Sequence, residues 1–272
     1  MDESRELQRL AVQVRQRLIR MACRSRSPHI GSCLSCTDLL TALYFGVLRI
    51  DERQWDERDI FILSKAHSAM TLYAILNLKG VLDDRMLDGY FLEGGTLPAH
   101  LDRDTHPWVE ASAGSLGHGF CMGLGMAHGL KRRGSGRQVF SVIGDGETQE
   151  GSIWEGAMFA AKLGLDNFTA ITDFNNLQGY GRAKDLCAFE PLEDKWRAFG
   201  WDVCRIPGHD MTAILEACRR PRDGRPRMII ADTVKGKGVS FMEDQLKWHY
   251  YIVTDAFREQ AMAELERAAH AI

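Results

Sequence analysis

From residue 115 onward the chain alternates short apolar runs with helical patterns, and this alternation limits the possible folds most. A helix over 115–132 leads to a strand over 138–143. Helix 152–163, strand 168–173, helix 192–199, strand 201–206, helix 210–219 and strand 228–234 follow in order. Strand–helix–strand repetition implies right-handed crossovers. The expected fold class is therefore α/β, a doubly wound, mostly parallel sheet with helices on both faces. Ahead of this region, Leu7, Leu10, Val14, Leu18 and Met21 share helical spacing, and Thr37-Asp38 opens a helix through Leu48. Residues 61–63 read as a short buried strand and 66–78 as a helix that Gly80 ends. A last helix is expected over 254–269. No linker rich in Pro, Gly or Ser divides the 272 residues, so 1–272 reads as one domain.

Ligands of such sheets bind beyond the carboxyl ends of the strands. There the strand 138–143 delivers Gly144-Asp145-Gly146-Glu147, and the strand 168–173 delivers Asn175-Asn176. One carboxylate and one amide oxygen at neighbouring strand ends suit Mg²⁺, which takes few protein ligands plus phosphate oxygens and water. An Asp-Gly pair alone is ordinary turn chemistry. The Asn that follows Gly146 after twenty-eight intervening residues turns the reading toward a metal–diphosphate site. Residues 93–113 lose all periodicity, and a long irregular stretch in a compact domain is more often functional than idle.

Gly114-Ser115-Leu116-Gly117-His118-Gly119 runs into Gly123, Gly125 and Gly129. No strand precedes it and His128 stands at the last glycine position, which argues against a dinucleotide fingerprint. Each helical glycine costs about 1 kcal/mol relative to alanine. Close approach of another backbone is the usual offset, so this helix is expected to pack on a neighbouring helix, one belonging to another subunit.

A net charge of −3 gives no long-range attraction for nucleic acid. The basic runs Lys131-Arg132-Arg133 and 219–227 fall where helices should stop, and read as solvated helix ends. Seven scattered cysteines do not form a disulfide framework, and Cys33 and Cys36, a lone C-x-x-C, read as small, buried and reduced. The charged N-terminus carries no secretory signal and no apolar run reaches the ~18 residues of a membrane span. A cytoplasmic protein with no membrane or nucleic-acid partner is expected.

Nine segments occur in an order that resembles transketolase. They are Ser27-Pro28-His29-Ile30-Gly31, Ser64-Lys65-Ala66-His67, Pro98-Ala99-His100, Gly114 to Gly119, Gly144 to Glu147, Asn175, Pro207-Gly208-His209-Asp210, Lys235-Gly236-Lys237-Gly238 and Lys247-Trp248-His249. The resemblance covers nearly the whole chain and falls on the diphosphate-binding, N-terminal domain of that thiamine diphosphate family, whose single-chain members are more than twice as long. It implies the N-terminal subunit of a split transketolase.

The resemblance further implies that Asp145, Asn175 and the Leu177 carbonyl hold Mg²⁺, or another divalent cation such as Ca²⁺ or Mn²⁺, against thiamine diphosphate. Gly146, His67 and His249 would contact the diphosphate side, with Glu147 in the same cofactor-binding motif, and Gly114, Ser115 and Leu116 would lie near the aminopyrimidine. His29, His67, His100 and His249 would converge on the reacting carbons, and Glu150 would join the contact between active sites. His106, His118, His128 and His209 receive no role. The cofactor carries the hard step; histidines suit the proton movements among ketose hydroxyls because they donate or accept near neutral pH.

The pyrimidine-binding half is missing, so a C-terminal partner subunit in an α₂β₂ assembly is implied, acting on sugars or sugar phosphates. Departures from the pattern are Pro28, Cys33, the segment 91–97 and Tyr250-Tyr251-Ile252-Val253. They lie on the substrate side, and proline, which fixes φ and lacks an N–H, bears on how the loop holding His29 is oriented. Pro28 and the apolar stretch Tyr250 to Val253 keep open a 2-oxo-acid-decarboxylating transferase or synthase of the same cofactor family; a non-catalytic cofactor-binding subunit is the third reading.

Overall fold

A computed structural model describes residues 2–50, 52–188 and 190–272. Five strands, β1 (Ile60–Leu63), β2 (Val139–Gly144), β3 (Phe168–Phe174), β4 (Asp202–Pro207) and β5 (Arg227–Asp232), form one sheet in the order β1-β2-β3-β5-β4. Every neighbouring pair is parallel. The apolar runs are continuous because a parallel sheet is covered on both faces. Alternate residues serve opposite cores, as the two-residue period of a strand requires. Phe61, Leu63, Phe140, Val142, Ile171 and Ile229 join one hydrophobic cluster, whereas Ile62, Val139, Ile143, Phe168, Met228 and Ile230 join the other.

The first cluster is closed by α1 (Glu3–Ser25), α2 (Ile30–Ser35), α3 (Thr37–Ala42), α4 (Ala69–Leu78) and, later in the chain, a helix over Met211–Arg219. The helix α1 begins where the Asp2 side chain accepts from Ser4 N–H and ends on Arg26 in the left-handed region. After a short α5 (Asp84–Asp88) and an irregular stretch, α6 (His118–Arg132), α7 (Gly151–Lys162) and, beyond α8 (Ala183–Leu186), α9 (Leu192–Ala198) cover the other face. The helix over Met211–Arg219 is α10, capped by Asp210, whose side chain accepts from Thr212 and Ala213 N–H. The final helix, α11 (Asp255–Ala271), lies on α1.

The structure departs from the sequence reading at several elements. The glycine-rich helix starts at His118, not 115, because Gly117 adopts φ +85° and leaves 114–117 as an open loop. The helix opened by Thr37 is α-helical only to Ala42 and continues as a π-turn over Leu43–Val47. The basic run 219–227 is not uniformly solvated. Arg227 is buried, bonding Asp202 and the carbonyls of Ala217, Arg220 and Pro221. A buried guanidinium needs several partners, and here main-chain carbonyls supply most of them.

Gly119 and Gly123 pack on this chain itself: a methyl on Gly119 would lie 2.7 Å from Ser64 Cα, and one on Gly123 would lie 3.0 Å from the Phe168 ring. Among the described residues, a methyl on Gly125 or Gly129 would meet nothing within 4 Å beyond the helix's own backbone. All seven cysteines are free, with Cys33 and Cys36 buried. Among the described residues, no helix is long and apolar enough to cross a membrane.

Candidate active site

Strands β2 and β3 lie side by side with Gly144 abreast of Asp173, so the residues just beyond them fall at one sheet edge. Asp145 leads into a 3₁₀ turn over Gly146–Gln149. Asn175 is followed by Asn176 at φ +58°, which turns the chain back. Asp145, Gly146, Asn175 and Leu177 line one cavity of about 320 Å³ together with His67, Leu116, Lys235 and His249.

Asp145 is buried. One carboxylate oxygen accepts from Gly146 N–H at 2.7 Å, and the other has no partner among the described residues. Burial, reinforced by the nearby Asp173 charge, pushes its carboxyl up to about 6. Asn175 Oδ1 accepts from Leu177 N–H at 3.1 Å, while its amide nitrogen faces Ser35 and Asp173. That orientation leaves oxygens, not N–H groups, toward the cavity. The Leu177 carbonyl accepts from Lys235 Nζ at 2.8 Å and keeps a second lone pair. No cluster of three His, Cys, Asp or Glu side chains able to hold a metal occurs among the described residues. A carboxylate, an amide oxygen and a carbonyl still form a hard-oxygen set that fits a divalent cation shared with phosphate oxygens.

Beneath the cavity lies an ion pair that the sequence alone does not reveal. Lys65 and Asp173, both buried, are in direct contact, and Asp173 also accepts from the hydroxyls of Ser35 and Thr233. Burial alone would raise the Asp173 carboxyl; Lys65 and the hydroxyls hold it below its ordinary range. The one available signal is a carboxylate within the fully buried run of β3. Lys235 stands out in the sequence only as part of a motif. Its ammonium is buried between the Leu177 carbonyl and His249 Nδ1, at 3.0 Å from the latter, and burial brings it down to about 8.

The four histidines are brought together. The His29 ring stacks on His67 with centroids 4.8 Å apart and meets His249 edge-on at 5.3 Å; His67 meets His100 at 5.2 Å. Pro28 does not pull His29 away. His29 sits at φ +73° and its N–H donates to the His249 carbonyl at 2.9 Å, which ties the two segments together. Burial, then the neighbouring His67 charge, lowers His29 to about 4. Burial and Lys235 lower His249 to about 3, and burial and His100 lower His67. These three imidazoles are neutral near pH 7, each with one N–H and one lone pair. Because Lys235 donates to His249 Nδ1, the His249 proton lies on Nε2.

Tyr250 closes the near side, its ring 4.5 Å from His249 and its hydroxyl filling the space a side chain at Gly179 would take.

Glu147 faces inward. Its carboxylate accepts from Ser64 Oγ, from Gly117 N–H at 2.8 Å and from Gly144 N–H at 3.1 Å. It therefore joins the 114–117 loop to the end of β2. Gly114 packs against His100, where a methyl would come within 3.3 Å of the ring. Ser115 is exposed, Leu116 lines the cavity, and Glu150 lies exposed at its rim.

Fold and cavity define an α/β protein with a polar ligand site at the carboxyl ends of a parallel sheet, beside a histidine cluster. The chain belongs to the transketolase family: residues 8–260 match the family described as transketolase, thiamine diphosphate binding domain.

Among similar proteins is a 6-deoxy-6-sulfo-D-fructose transketolase subunit from a Clostridium species, 42% identical over 88% of this chain and 88% of that one. Another is an apulose-4-phosphate transketolase subunit of Phocaeicola vulgatus, 38% identical over 92% of this chain and 90% of that one. The crystal structure of transketolase from Campylobacter jejuni superposes with a TM-score of 0.88 at 27% identity. The match covers 96% of this chain but only 42% of that protein.

Proposed function

We propose that this chain is the thiamine diphosphate-binding N-terminal subunit of a two-subunit transketolase, which transfers a two-carbon ketol unit from a ketose to an aldose. The observation that carries the reading is the unpaired, buried Asp145 oxygen set among Asn175 Oδ1, the Leu177 carbonyl and the Lys235 ammonium. In this reading Asp145, Asn175 and Leu177 hold Mg²⁺, or Ca²⁺ or Mn²⁺ in its place. Lys235, the Gly146 N–H, His67 and His249 face the diphosphate, and Gly114, Ser115 and Leu116 flank the pyrimidine end. Glu147 shapes the site from behind by fixing both loops.

Thiamine diphosphate, when bound, supplies the nucleophilic carbon and the electron sink for breaking and making the carbon–carbon bond. The protein's share is proton handling. His29, His67 and His249, neutral and in ring contact, can each take or give a proton to a substrate hydroxyl, with His100 at the outer end of the row. Exclusion of water falls partly to Tyr250.

Subunit names and near-full coverage of the Clostridium and Phocaeicola relatives support a separate C-terminal, pyrimidine-binding partner. In this reading the assembly is α₂β₂ and cytoplasmic, 1–272 is one folded domain, and Glu150, exposed at the rim, joins the contact between active sites. The open Gly125/Gly129 face of α6 and the exposed Met158 and Phe159 of α7 would lie in subunit contacts. The substrate class is sugars or sugar phosphates.

The test is reconstitution with the partner subunit, thiamine diphosphate and Mg²⁺. Two-carbon exchange between sugar phosphates without gas release supports the proposal. Carbon dioxide release from pyruvate, without ketol transfer, overturns it.

A further inference from the structure

His209 has no part in the chemistry above, yet it is bonded at both ring nitrogens. It lies in the turn between β4 and α10. Its Nδ1 is 2.7 Å from Asp38 Oδ2, and its Nε2 is 2.8 Å from Val234 N. A main-chain N–H can only donate, so Nε2 accepts and Nδ1 carries the proton that Asp38 receives. Asp38 is itself buried and clamped by Arg15 through both oxygens, at 3.0 and 2.6 Å. The same Arg15 donates through Nε to the Lys237 carbonyl at 2.9 Å. One ion pair thus holds the chain on both sides of Lys235, at Val234 and at Lys237.

That stretch needs holding. Strand β5 stops at Asp232, so Val234 N–H lies beyond the ladder and requires its own acceptor. Gly236 at φ +82° and Gly238 at φ +93° give the loop backbone freedom, and Gly236 passes so close to Met242 that no side chain fits. Lys235 meanwhile buries an ammonium in the cavity, where a displaced charge loses its partners.

We propose that His209 is a positioning residue: by accepting from Val234 N–H it fixes the backbone from which Lys235 reaches the diphosphate of the cofactor. The proposal rests on the reading of the cavity as the diphosphate site. It assigns a role to a histidine that touches neither cofactor nor substrate.

Two substitutions separate this role from a general one. In His209→Gln the side-chain carbonyl reaches the position of Nε2 and keeps Val234. In His209→Asn the amide nitrogen reaches the position of Nδ1 and keeps only Asp38. Hydrogen–deuterium exchange of 232–238 is followed in the full chain without cofactor. Thiamine diphosphate affinity is then titrated with Mg²⁺ in the complex with the partner subunit.

The expected result is faster exchange of 232–238 and about tenfold weaker binding for His209→Asn, as for other residues that orient a ligand-holding group. His209→Gln should stay near wild type in both. Equal behaviour of the two variants, or loss in His209→Gln alone, overturns the proposal by placing the role at Asp38 or nowhere. If the wild type shows no Mg²⁺-dependent binding, the cavity reading fails and takes the proposal with it. The exchange data, which need no ligand, distinguish that failure from failure of the Val234 link.

Discussion

Asp145 carries a negative charge into a buried place and leaves one oxygen without a partner. Its folded-state carboxyl, at about 6, lies above the unfolded value, so its contribution to stability is present at low pH and lost as pH rises through about 6. At pH 8 the metal-free chain should therefore gain thermal stability from Asp145→Asn, and the gain should vanish toward pH 4; a variant less stable at pH 8 would contradict the unpaired state. The histidines titrate the other way. His29 and His249, lowered to about 4 and 3, should remain neutral in imidazole NMR spectra at pH 5. Their depressed folded values mean that the unfolded chain binds protons first. Their contribution to stability should fall as pH drops below about 6.5 toward 4, a loss that His29→Gln should lessen.

At the scale of elements, glycine acts in two ways along α6. Gly119→Ala forces a methyl against Ser64 backbone and should destabilise the chain by about 1–3 kcal/mol. Gly125→Ala meets open space and should stabilise the isolated chain by up to about 1 kcal/mol through helix propensity. Denaturant unfolding of both variants checks the contrast.

The strands were legible in the sequence because continuous apolar runs bounded by polar turns have one meaning in a parallel sheet. Asp145 and Asn175 were legible for the same reason, since strand ends fix where such residues land. The helix α2 was not: Ile30-Gly31-Ser32-Cys33 carries no helical signal, and tertiary contact decides it, with Gly31 against Trp248 and Lys235. The convergence of the histidines came only through family resemblance, because no local pattern reports that residues 29, 67, 100 and 249 meet. His209 stayed hidden because its partners, Asp38 and Val234, lie 171 and 25 residues away.

At the scale of the whole molecule, the proposed function makes the cavity one wall of a site that the partner subunit completes. The Campylobacter transketolase extends well beyond the region matched here. The outward face of α7 carries Met158 and Phe159, 52% and 69% exposed, and α6 carries Gly125 and Gly129, whose open surroundings would admit a close neighbour. Phe159→Glu should reduce the assembly formed with the partner subunit, read by light scattering, while leaving the fold of this chain intact by circular dichroism. Thiamine diphosphate should bind weakly to this chain alone and tightly to the complex, since in the proposed function the partner holds the pyrimidine end.

The proposed function depends on a cation held between the ends of β2 and β3. Calorimetric titration of thiamine diphosphate into the reconstituted complex, with and without Mg²⁺, tests it most directly when repeated on Asp145→Asn. Chelating the metal and replacing Asp145 should each weaken binding on the order of 100-fold, and the two losses should not add. Metal-independent binding of the cofactor, unchanged by Asp145→Asn, would contradict it.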